Sequence, residues 1–558
     1  MRFPSIKSLA DDAILTLKRF PFEVLFALTG TIAATLFVER DDYLSDSFYT
    51  KIIMTANLGL LLSLAANLFV SSNRIKKGLI IKVIVAIGAA CFVFIFNPQL
   101  KFIDGLRFLL LSLAFHLLVA FAGFVTKGHI QGFWQFNKTL FLRFLTSMLY
   151  SGVLYLGLAA AIGASNFLFN LHLGGKVYSN LFFWIAGIFN TLFFLAGVPA
   201  NTVELDNDDT YPKGLKVFTQ YVLIPLASVY LVILLAYEVK ILIAWNLPKG
   251  AVSLLVLGYA VFGILSILLI YPLRDREENN WIKIYARSFY FLLIPLLVLL
   301  CLAIYSRIMP YGITPLRYFL IVLAGWLLFI TMYFLLSRKQ NIKIIPASLA
   351  ILALLSVYGP QSAFSIAKYS QRSILTGIFK KYRALNNGKI TSLSEIKLSP
   401  KDGEKAIEQL NYFVYDNDLT YLQPCFTMSL NKVIDSIKKT KDTSTPYLKK
   451  HPANLNEYDV KNKEMGWLTN QLGLGKFNRN ESNDASFTYT FEVKNSRLLA
   501  TKGYDYVLSF NDRIIDADSV LLLKADDIDI KQTADTSRVY TIYLNNDKLS
   551  FNAKGYSR

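Results

Sequence analysis

Long apolar runs recur along the first two thirds of the chain, and they constrain its fold more than any other feature. A helix needs about 20 mostly apolar residues to cross the hydrocarbon core of a bilayer. Eleven stretches come near this length, at 20–38, 51–70, 78–96, 107–125, 141–163, 178–198, 216–237, 251–272, 284–306, 316–336 and 343–358. They predict an α-helical polytopic membrane bundle of about eleven transmembrane helices. The eleventh run is the shortest, with Pro346 near its start.

The composition favours the same class. Hydrophobic residues make up 54% of the 558 residues, charged residues only 17%, and the mean hydropathy is +0.41. Soluble domains carry about 25% charged residues. The net charge is +19, but no compact stripe of Lys and Arg with interleaved aromatic residues is present, which argues against nucleic-acid binding. The positive balance is typical of membrane proteins that face anionic lipid.

Lysine and arginine are distributed unevenly among the connections between the runs. With the N-terminus placed in the cytoplasm, the inner connections hold seventeen of them and the outer connections nine. Because inner loops carry the excess of positive charge, this count predicts a cytoplasmic N-terminus in the cytoplasmic (inner) membrane. Residues 1–19 precede the first run and are amphipathic, as expected of a helix lying on the membrane surface.

The pattern changes beyond about residue 360. Residues 20–360 form the predicted transmembrane domain, and 361–480 read as a helical juxtamembrane and linker region. Residues 481–558 contain about five short runs rich in β-branched and aromatic residues. We therefore predict a small α+β soluble C-terminal domain with an antiparallel sheet. After eleven crossings this tail is extracytoplasmic.

Polar side chains within the apolar runs are the default functional candidates. The candidate intramembrane polar site comprises Glu23, Asn57, His116, Arg143 and Asn190. Each also has a structural interpretation, because basic residues near an interface extend toward the headgroups and buried amides fasten helices together. Lys82 belongs to the first of these groups. A proton relay or a substrate path is the functional alternative.

A second candidate site lies where the last runs meet the tail. It comprises Tyr311, Arg317, Tyr318 and Gln371, at the predicted outer surface. Arginine suits a phosphate group there because its planar fork bonds two oxygens. Four histidines and three cysteines are scattered along the chain, and no motif for nucleophilic catalysis or phosphate binding occurs. We therefore predict no metal, no cofactor and no catalytic residue.

Several separated stretches occur in an order that resembles a known family. They are RFP, YPKGLKVFTQYVLIPL, DREENNW, YGITPLRYF, IPASLAILALLSVYGPQSA and SIAKYSQ. Together they resemble the bacterial membrane family called domain of unknown function four-one-five-three, over about residues 1–430. The resemblance implies a polytopic bacterial membrane protein with a soluble C-terminal portion. It implies no activity and no catalytic residues.

Three functions remain open at this point. The leading hypothesis is a non-enzymatic protein of the bacterial cell envelope, whose bundle orients an extracytoplasmic tail that binds a partner or ligand. Its other partners are the bilayer and anionic lipid headgroups, which a basic helix after residue 364 contacts. The first alternative is a transporter, with a small or lipid-like solute passing near Asn57, His116 and Asn190. The second is a membrane enzyme that holds a lipid-linked phosphate with Arg317, Tyr311 and Tyr318.

Overall fold

The computed structural model describes most of the chain. Its described residues are 6–40, 47–96, 102–126, 128–200, 204–244, 251–274, 280–337, 340–393, 398–415, 419–439, 441–442, 453–454, 457–477, 506–512, 517–523, 539–544 and 547–552. The chain forms two compact units, residues 1–473 and 474–558.

Fourteen helices precede the tail in the described residues. They are α1 (Ile6–Arg19), α2 (Pro21–Glu39), α3 (Ser47–Ser72), α4 (Gly78–Ala90), α5 (Phe102–Ala122), α6 (Ile130–Phe169), α7 (Gly175–Trp184), α8 (Asn190–Ala196), α9 (Lys213–Phe218), α10 (Ile224–Ala244), α11 (Ala251–Ile270), α12 (Asn280–Tyr311), α13 (Pro315–Leu336) and α14 (Ile344–Val357). A π-helical turn at Ile185–Phe189 joins α7 to α8, and another at Thr219–Leu223 joins α9 to α10.

Nine of the resulting segments in the described residues are long and apolar enough to cross a membrane. They are α2, α3, α5, α6, α7–α8, α9–α10, α11, α12 and α13. The third and eleventh predicted runs form shorter apolar helices, Gly78–Phe94 and Ile344–Val357. Helix α14 has 14 residues and so measures roughly 21 Å, against about 30 Å of hydrocarbon.

The lateral surface of the bundle is apolar. Large side chains point outward along the helices, among them Leu79, Phe167 and Leu254, which are 69%, 87% and 77% exposed. Such a continuous apolar surface is costly in water and matches the acyl chains of a bilayer. The structure thus agrees with the membrane class that the composition predicts.

Helix α6 is longer than the sequence indicates. The apolar run predicts 141–163, whereas the helix has 40 residues and begins at Ile130. Its first turns contain buried aromatic residues, Phe133, Trp134 and Phe136, alternating with polar ones. A hydropathy average leaves these turns out of the apolar run because they contain several polar residues. In the structure those polar side chains form hydrogen bonds within the protein.

Alternate connections of the bundle meet at one end, here called the Lys343 end. Ser72 Oγ donates to the carbonyl of Gly123, and Lys343 Nζ to that of Phe124 (2.9 Å). The network continues through Trp134 Nε1, which donates to the carbonyl of Leu268 at 2.7 Å. Connections from opposite ends of the sequence are therefore joined side by side.

The remaining connections meet at the other end, here called the Gln371 end. Lys176 Nζ donates to the carbonyl of Glu39 at 3.0 Å. The Tyr318 hydroxyl donates to the carbonyl of Gln361 at 2.7 Å, just beyond α14. Each end thus has its own set of polar contacts, as expected when successive helices run in opposite directions.

The largest core cluster is aromatic at its centre. The rings of Tyr290 and Phe334 stack with centroids 5.0 Å apart, and Phe289 packs against Tyr259 at 5.6 Å. Gly263 on α11 provides the space for this cluster, because a Cβ atom there would lie 2.0 Å from Cε2 of Phe289. Close helix approach at a small residue is typical of membrane bundles.

The tail begins with a helical module that belongs to the first unit. Its helices are α15 (Ala363–Lys381), α16 (Pro400–Val414), α17 (Leu430–Lys439) and α18 (Glu457–Leu472). Two short antiparallel pairs accompany them, β1 (Leu385–Asn386) with β2 (Lys389–Ile390), and β3 (Lys441–Asp442) with β4 (Ala453–Asn454). Buried leucine and phenylalanine residues such as Leu410 and Phe413 form its core.

The second unit is built from antiparallel hairpins in its described residues. Strand β5 (Tyr506–Asp512) pairs with β6 (Ala517–Leu523), and β7 (Val539–Leu544) with β8 (Asp547–Asn552). The antiparallel pairing agrees with the sequence prediction. The described strands form separate two-stranded sheets rather than one sheet, because each pairs only with its neighbour in sequence. The first of the β-rich runs that the sequence contains, SFTYTFEV at 486–493, lies outside the described residues.

The Gly263 contact generates a stability prediction. Gly263→Ala places a methyl group against the edge of the buried Phe289 ring, so the ring or the helix must move. We therefore expect a loss of about 1–3 kcal/mol in unfolding free energy. Gly258→Ala on the same helix is the control, since its Cβ meets no atom within 4 Å. Thermal unfolding of the purified proteins in one detergent measures both. Equal melting temperatures for the two variants would contradict the packing described here.

Candidate functional site

A buried polar cluster lies where α1, α2, α3 and α4 meet at the Lys343 end. Its centre is Glu23, in the first turn of α2, which is 1% exposed. Pro21 begins this helix, and its fixed φ suits the first turn. The break between α1 and α2 therefore places an acidic side chain just inside the bundle. A buried carboxylate requires polar partners.

Asn67 of α3 is the main partner. Its Nδ2 donates to Oε1 of Glu23 at 3.2 Å and to the carbonyl of Arg19 at 2.9 Å. One amide thus bonds both the buried carboxyl group and the carbonyl of the last residue of α1. The contact ties α3 to the junction of α1 and α2.

The oxygen of the same amide accepts two further hydrogen bonds. Lys82 Nζ of α4 donates to Asn67 Oδ1 at 3.0 Å, and Ser71 Oγ donates at 3.2 Å. Lys82 is therefore turned toward the cluster, where the sequence interpretation has it extending to the headgroups. We name Glu23, Asn67, Ser71 and Lys82 the Glu23 cluster.

The Glu23 cluster joins opposite charges through an amide. Glu23 Oε2 is buried and has no hydrogen-bond partner in the described residues. A free acceptor of this kind can take a proton or accept a bond from a small donor. The arrangement as it stands fastens three helices of the bundle, which is the usual role of a buried amide.

The other intramembrane candidates do not join this cluster. His116 is exposed, and its Nδ1 bonds the carbonyl of Ser112 in its own helix. Ser112 Oγ donates to Asn57 Oδ1 at 3.3 Å, so these two candidates share one neighbour. Asn57 also lines an apolar groove of about 490 Å³ between α2, α3 and α7.

Asn190 and Arg143 lie elsewhere in the bundle. Asn190 follows the π-helical turn, and its Oδ1 accepts from Ser151 Oγ at 3.3 Å. The Arg143 side chain lies against Gly197 at the end of α8. The five candidates thus occupy separate surfaces of the bundle, with only Asn57 and His116 near one another.

The outer-surface candidates do come together, at the Gln371 end. Gln371 is 2% exposed, and its Nε2 donates to the carbonyls of Ile313 (2.8 Å) and Tyr311 (3.3 Å). Arg317 donates to the carbonyls of Gly312 (2.8 Å) and Tyr311 (3.2 Å). Its Cζ also lies 5.5 Å from the centre of the Tyr311 ring. Gly312 has φ +69°, which glycine adopts without strain.

These contacts define the α12–α13 turn as a junction with the module. Ile313 N–H completes it by donating to Ser370 Oγ of α15 at 2.9 Å. In the part of the chain that the structure describes, Arg317 forms no ion pair with a carboxylate. Its Nη1 donates to two backbone carbonyls of the turn. The bonds of Gln371 and Ser370 then join the turn to the module.

The structure also assigns a role to a lysine that sequence reasoning counted only as an inner charge. Lys343 is 8% exposed, and its Nζ donates to three carbonyls, those of Phe124, Thr126 and Gly128. Burial lowers the pKa of this amine, and the carboxylate of Asp206 raises it in part. No local pattern marks this residue, because its acceptors lie more than 200 positions earlier.

The acidic loop after α8 is structural as well. Asp206 accepts from the N–H of Gly132 (2.8 Å) and lies 2.8 Å from Nδ1 of His129. Hydrogen bonds from Thr210 lower the pKa of Asp208. No group of three or more potential metal ligands occurs within the described ranges. The loop is thus held against α6 by these hydrogen bonds.

The module also contains a charged side chain that is held by several hydrogen bonds. Asp402, in the first turn of α16, accepts hydrogen bonds from Lys381 (2.7 Å), Tyr382 (2.8 Å) and Ser399 (2.8 Å). These bonds, that of Lys381 first, lower the pKa of Asp402 to about 2. The same bond raises the pKa of Lys381. The contact joins the end of α15 to the start of α16.

Comparisons with known proteins place this architecture among relatives without an assigned activity. A family described as "Domain of unknown function (DUF4153)" matches residues 25–393, more than half of the chain. The "Uncharacterized protein PM1469" of Pasteurella multocida (strain Pm70) is 25% identical over 211 residues. That match covers 37% of this chain and 35% of the relative, so it spans about a third of the relative's length. No solved structure matches the chain.

The Glu23 cluster generates the second prediction. Asn67→Ala removes four hydrogen bonds, among them the side-chain hydrogen bond of Glu23, so we expect a loss of about 2 kcal/mol in unfolding free energy. Asn73→Ala is the control, since Asn73 is exposed and donates only to Phe69 in its own turn. Denaturant unfolding in detergent compares them. Equal stability of the two variants would contradict a fastening role.

Proposed function

The chain belongs to the family described as "Domain of unknown function (DUF4153)", and we propose that it is a non-enzymatic scaffold of the bacterial cell envelope. In this proposal the membrane bundle anchors the helical module, residues 363–473, in a fixed orientation outside the cytoplasm. A partner protein or ligand binds the module there. The observation that carries the proposal is the junction between α15 and the α12–α13 turn.

The junction supports a rigid appendage because two neighbouring side chains of α15 bond the backbone of the α12–α13 turn. Gln371 donates to two carbonyls of the turn, and Ser370 accepts from the N–H of Ile313. A helix that is hydrogen-bonded to a turn in this way changes orientation only by breaking several buried bonds together. A scaffold requires the module to keep a fixed orientation relative to the bundle, whereas a flexible tether does not.

The proposed orientation is supported by charge. By sequence, the set of connections to which Lys343 belongs holds seventeen lysines and arginines, against nine in the other set. The positive-inside rule then assigns the Lys343 end to the cytoplasm. With α4 and α14 counted as crossings, eleven spans separate the cytoplasmic N-terminus from an extracytoplasmic tail. The cytoplasmic membrane is the proposed location.

The module offers exposed aromatic surface to a partner. Tyr369 is 68% exposed and Tyr421 40%, and Lys368 Nζ lies 3.2 Å from the centre of the Tyr421 ring. Tyrosine at an otherwise polar surface is typical of protein interfaces. We propose this region for an envelope partner. The bilayer is the other partner, with anionic headgroups near the basic side chains of α15.

The two alternative functions use other groups of the bundle. A solute path would pass the exposed side chain of His116 and the groove that Asn57 lines. An enzyme would need the guanidinium of Arg317, whose Nη1 donates to the carbonyls of the α12–α13 turn. The scaffold requires only the contacts described above.

The orientation is tested by cysteine labelling. We expect Lys401→Cys, on the module, to react with a membrane-impermeant maleimide added to intact spheroplasts. We expect Lys76→Cys, at the Lys343 end, to react only after permeabilisation. Both positions are exposed, and the three native cysteines are first replaced by alanine. Protection of position 401 in intact spheroplasts, or labelling of position 76 before permeabilisation, would overturn the proposed topology.

The partner is tested by photocross-linking in cells. A photoreactive phenylalanine analogue at Tyr369 is expected to give a discrete adduct with an envelope protein, whereas one at Tyr305, which is 61% exposed on α12, gives none. A module without any discrete adduct would contradict the scaffold proposal.

The junction is tested in the same assay. Gln371→Ala is expected to lower the adduct yield several-fold, because a loosened module no longer presents its surface in one orientation. Ser373→Ala is the matched control, since Ser373 is exposed on the same helix. An unchanged yield in Gln371→Ala would show that the junction does not orient the module.

A further inference from the structure

A groove of about 600 Å³ lies between α1, α6 and α8 at the Lys343 end. Its walls are mostly apolar, with Leu15 on α1 and Leu192 and Phe193 on α8. Leu15 is 63% exposed, which leaves the rim open. An apolar groove at the side of a membrane bundle faces the acyl chains of the surrounding lipid. The proposed scaffold function makes no use of it.

Two guanidinium groups mark one end of this groove. Arg19, the last residue of α1, donates to the carbonyls of Val198 (2.6 Å) and Pro199 (2.7 Å). Arg143 reaches the same segment from α6 and also lines the groove. Within the described ranges, neither guanidinium forms an ion pair with a carboxylate, so their positive charges add at this end.

Gly197 makes the position of Arg143 possible. A Cβ atom at residue 197 would lie 2.2 Å from Cδ and 2.3 Å from Nε of Arg143. The Arg143 side chain therefore crosses directly over the backbone at the end of α8. Its guanidinium has no hydrogen-bond partner among the residues that the structure describes. The groove thus has a positioned cation with its donors free.

We propose that this groove binds an anionic glycerophospholipid of the surrounding bilayer, with its phosphate on Arg143 and an acyl chain along α8. Arginine bonds phosphate through two parallel N–H donors, and Arg19 adds positive charge beside it. The arginines lie at the end of the groove where the helix connections meet, which is the level of lipid headgroups. The apolar walls then continue toward the hydrocarbon. The groove therefore presents positive charge to the lipid headgroup and apolar walls to the acyl chains.

The proposal is tested by native mass spectrometry of the purified full chain with added lipid. We expect the wild type to retain phosphatidylglycerol in preference to phosphatidylcholine with the same acyl chains. Arg143→Gln is expected to lower retention of phosphatidylglycerol about five-fold, the effect of one arginine near an anionic lipid surface. Arg143→Lys is expected to give an intermediate value because it keeps the charge but loses the fork.

Two further variants separate a specific site from general surface charge. Arg287→Gln removes an exposed arginine of α12 outside the groove and is expected to leave retention unchanged. Gly197→Ala removes no charge but displaces the Arg143 side chain, so we expect a loss similar to that of Arg143→Gln. Thermal unfolding of each variant confirms that it is folded. Equal retention of both lipids by the wild type, or equal losses in Arg143→Gln and Arg287→Gln, would overturn the proposal.

Discussion

A backbone carbonyl that is buried without a helical partner is removed from water, so it needs a hydrogen-bond donor from elsewhere in the protein. Lys343 is the clearest case in this protein. Its amine donates to three carbonyls beyond the end of α5, from a position just before α14. One side chain thereby satisfies several orphan acceptors and joins two helices that are distant in sequence. The same constraint acts at both ends of the bundle.

Several polar side chains of the bundle accordingly donate hydrogen bonds to backbone carbonyls of other segments. Arg19 bonds the end of α8, Asn67 the end of α1, and Gln371 the α12–α13 turn. These contacts explain why charged residues are few and yet occur at buried positions. They also determine how the tail is held, because α15 is attached to the bundle through the same kind of bond. A rigid junction is the structural basis of the proposed scaffold function.

The two arginines at the groove differ in this respect. Arg19 is committed to the carbonyls of Val198 and Pro199, whereas the donors of Arg143 are free among the described residues. The first therefore closes a helix end, and the second is available to a ligand. Because both lie beside an apolar groove, a membrane lipid is the ligand whose chemistry fits them. The lipid proposal and the scaffold proposal concern opposite ends of the bundle and do not depend on each other.

The sequence by itself determined the membrane class, the approximate position of the apolar helices and the change of character near residue 360, because hydropathy and periodicity are local properties. It also selected Tyr311, Arg317, Tyr318 and Gln371, which the structure brings into one junction. Only the tertiary structure decided that Lys82 faces Asn67, that His116 is exposed, and that Lys343 bonds the connection after α5. Each of these outcomes depends on which helix faces lie together. Hydropathy is a property of the residue itself, whereas the contact partner of a side chain depends on packing between segments that are far apart in the chain.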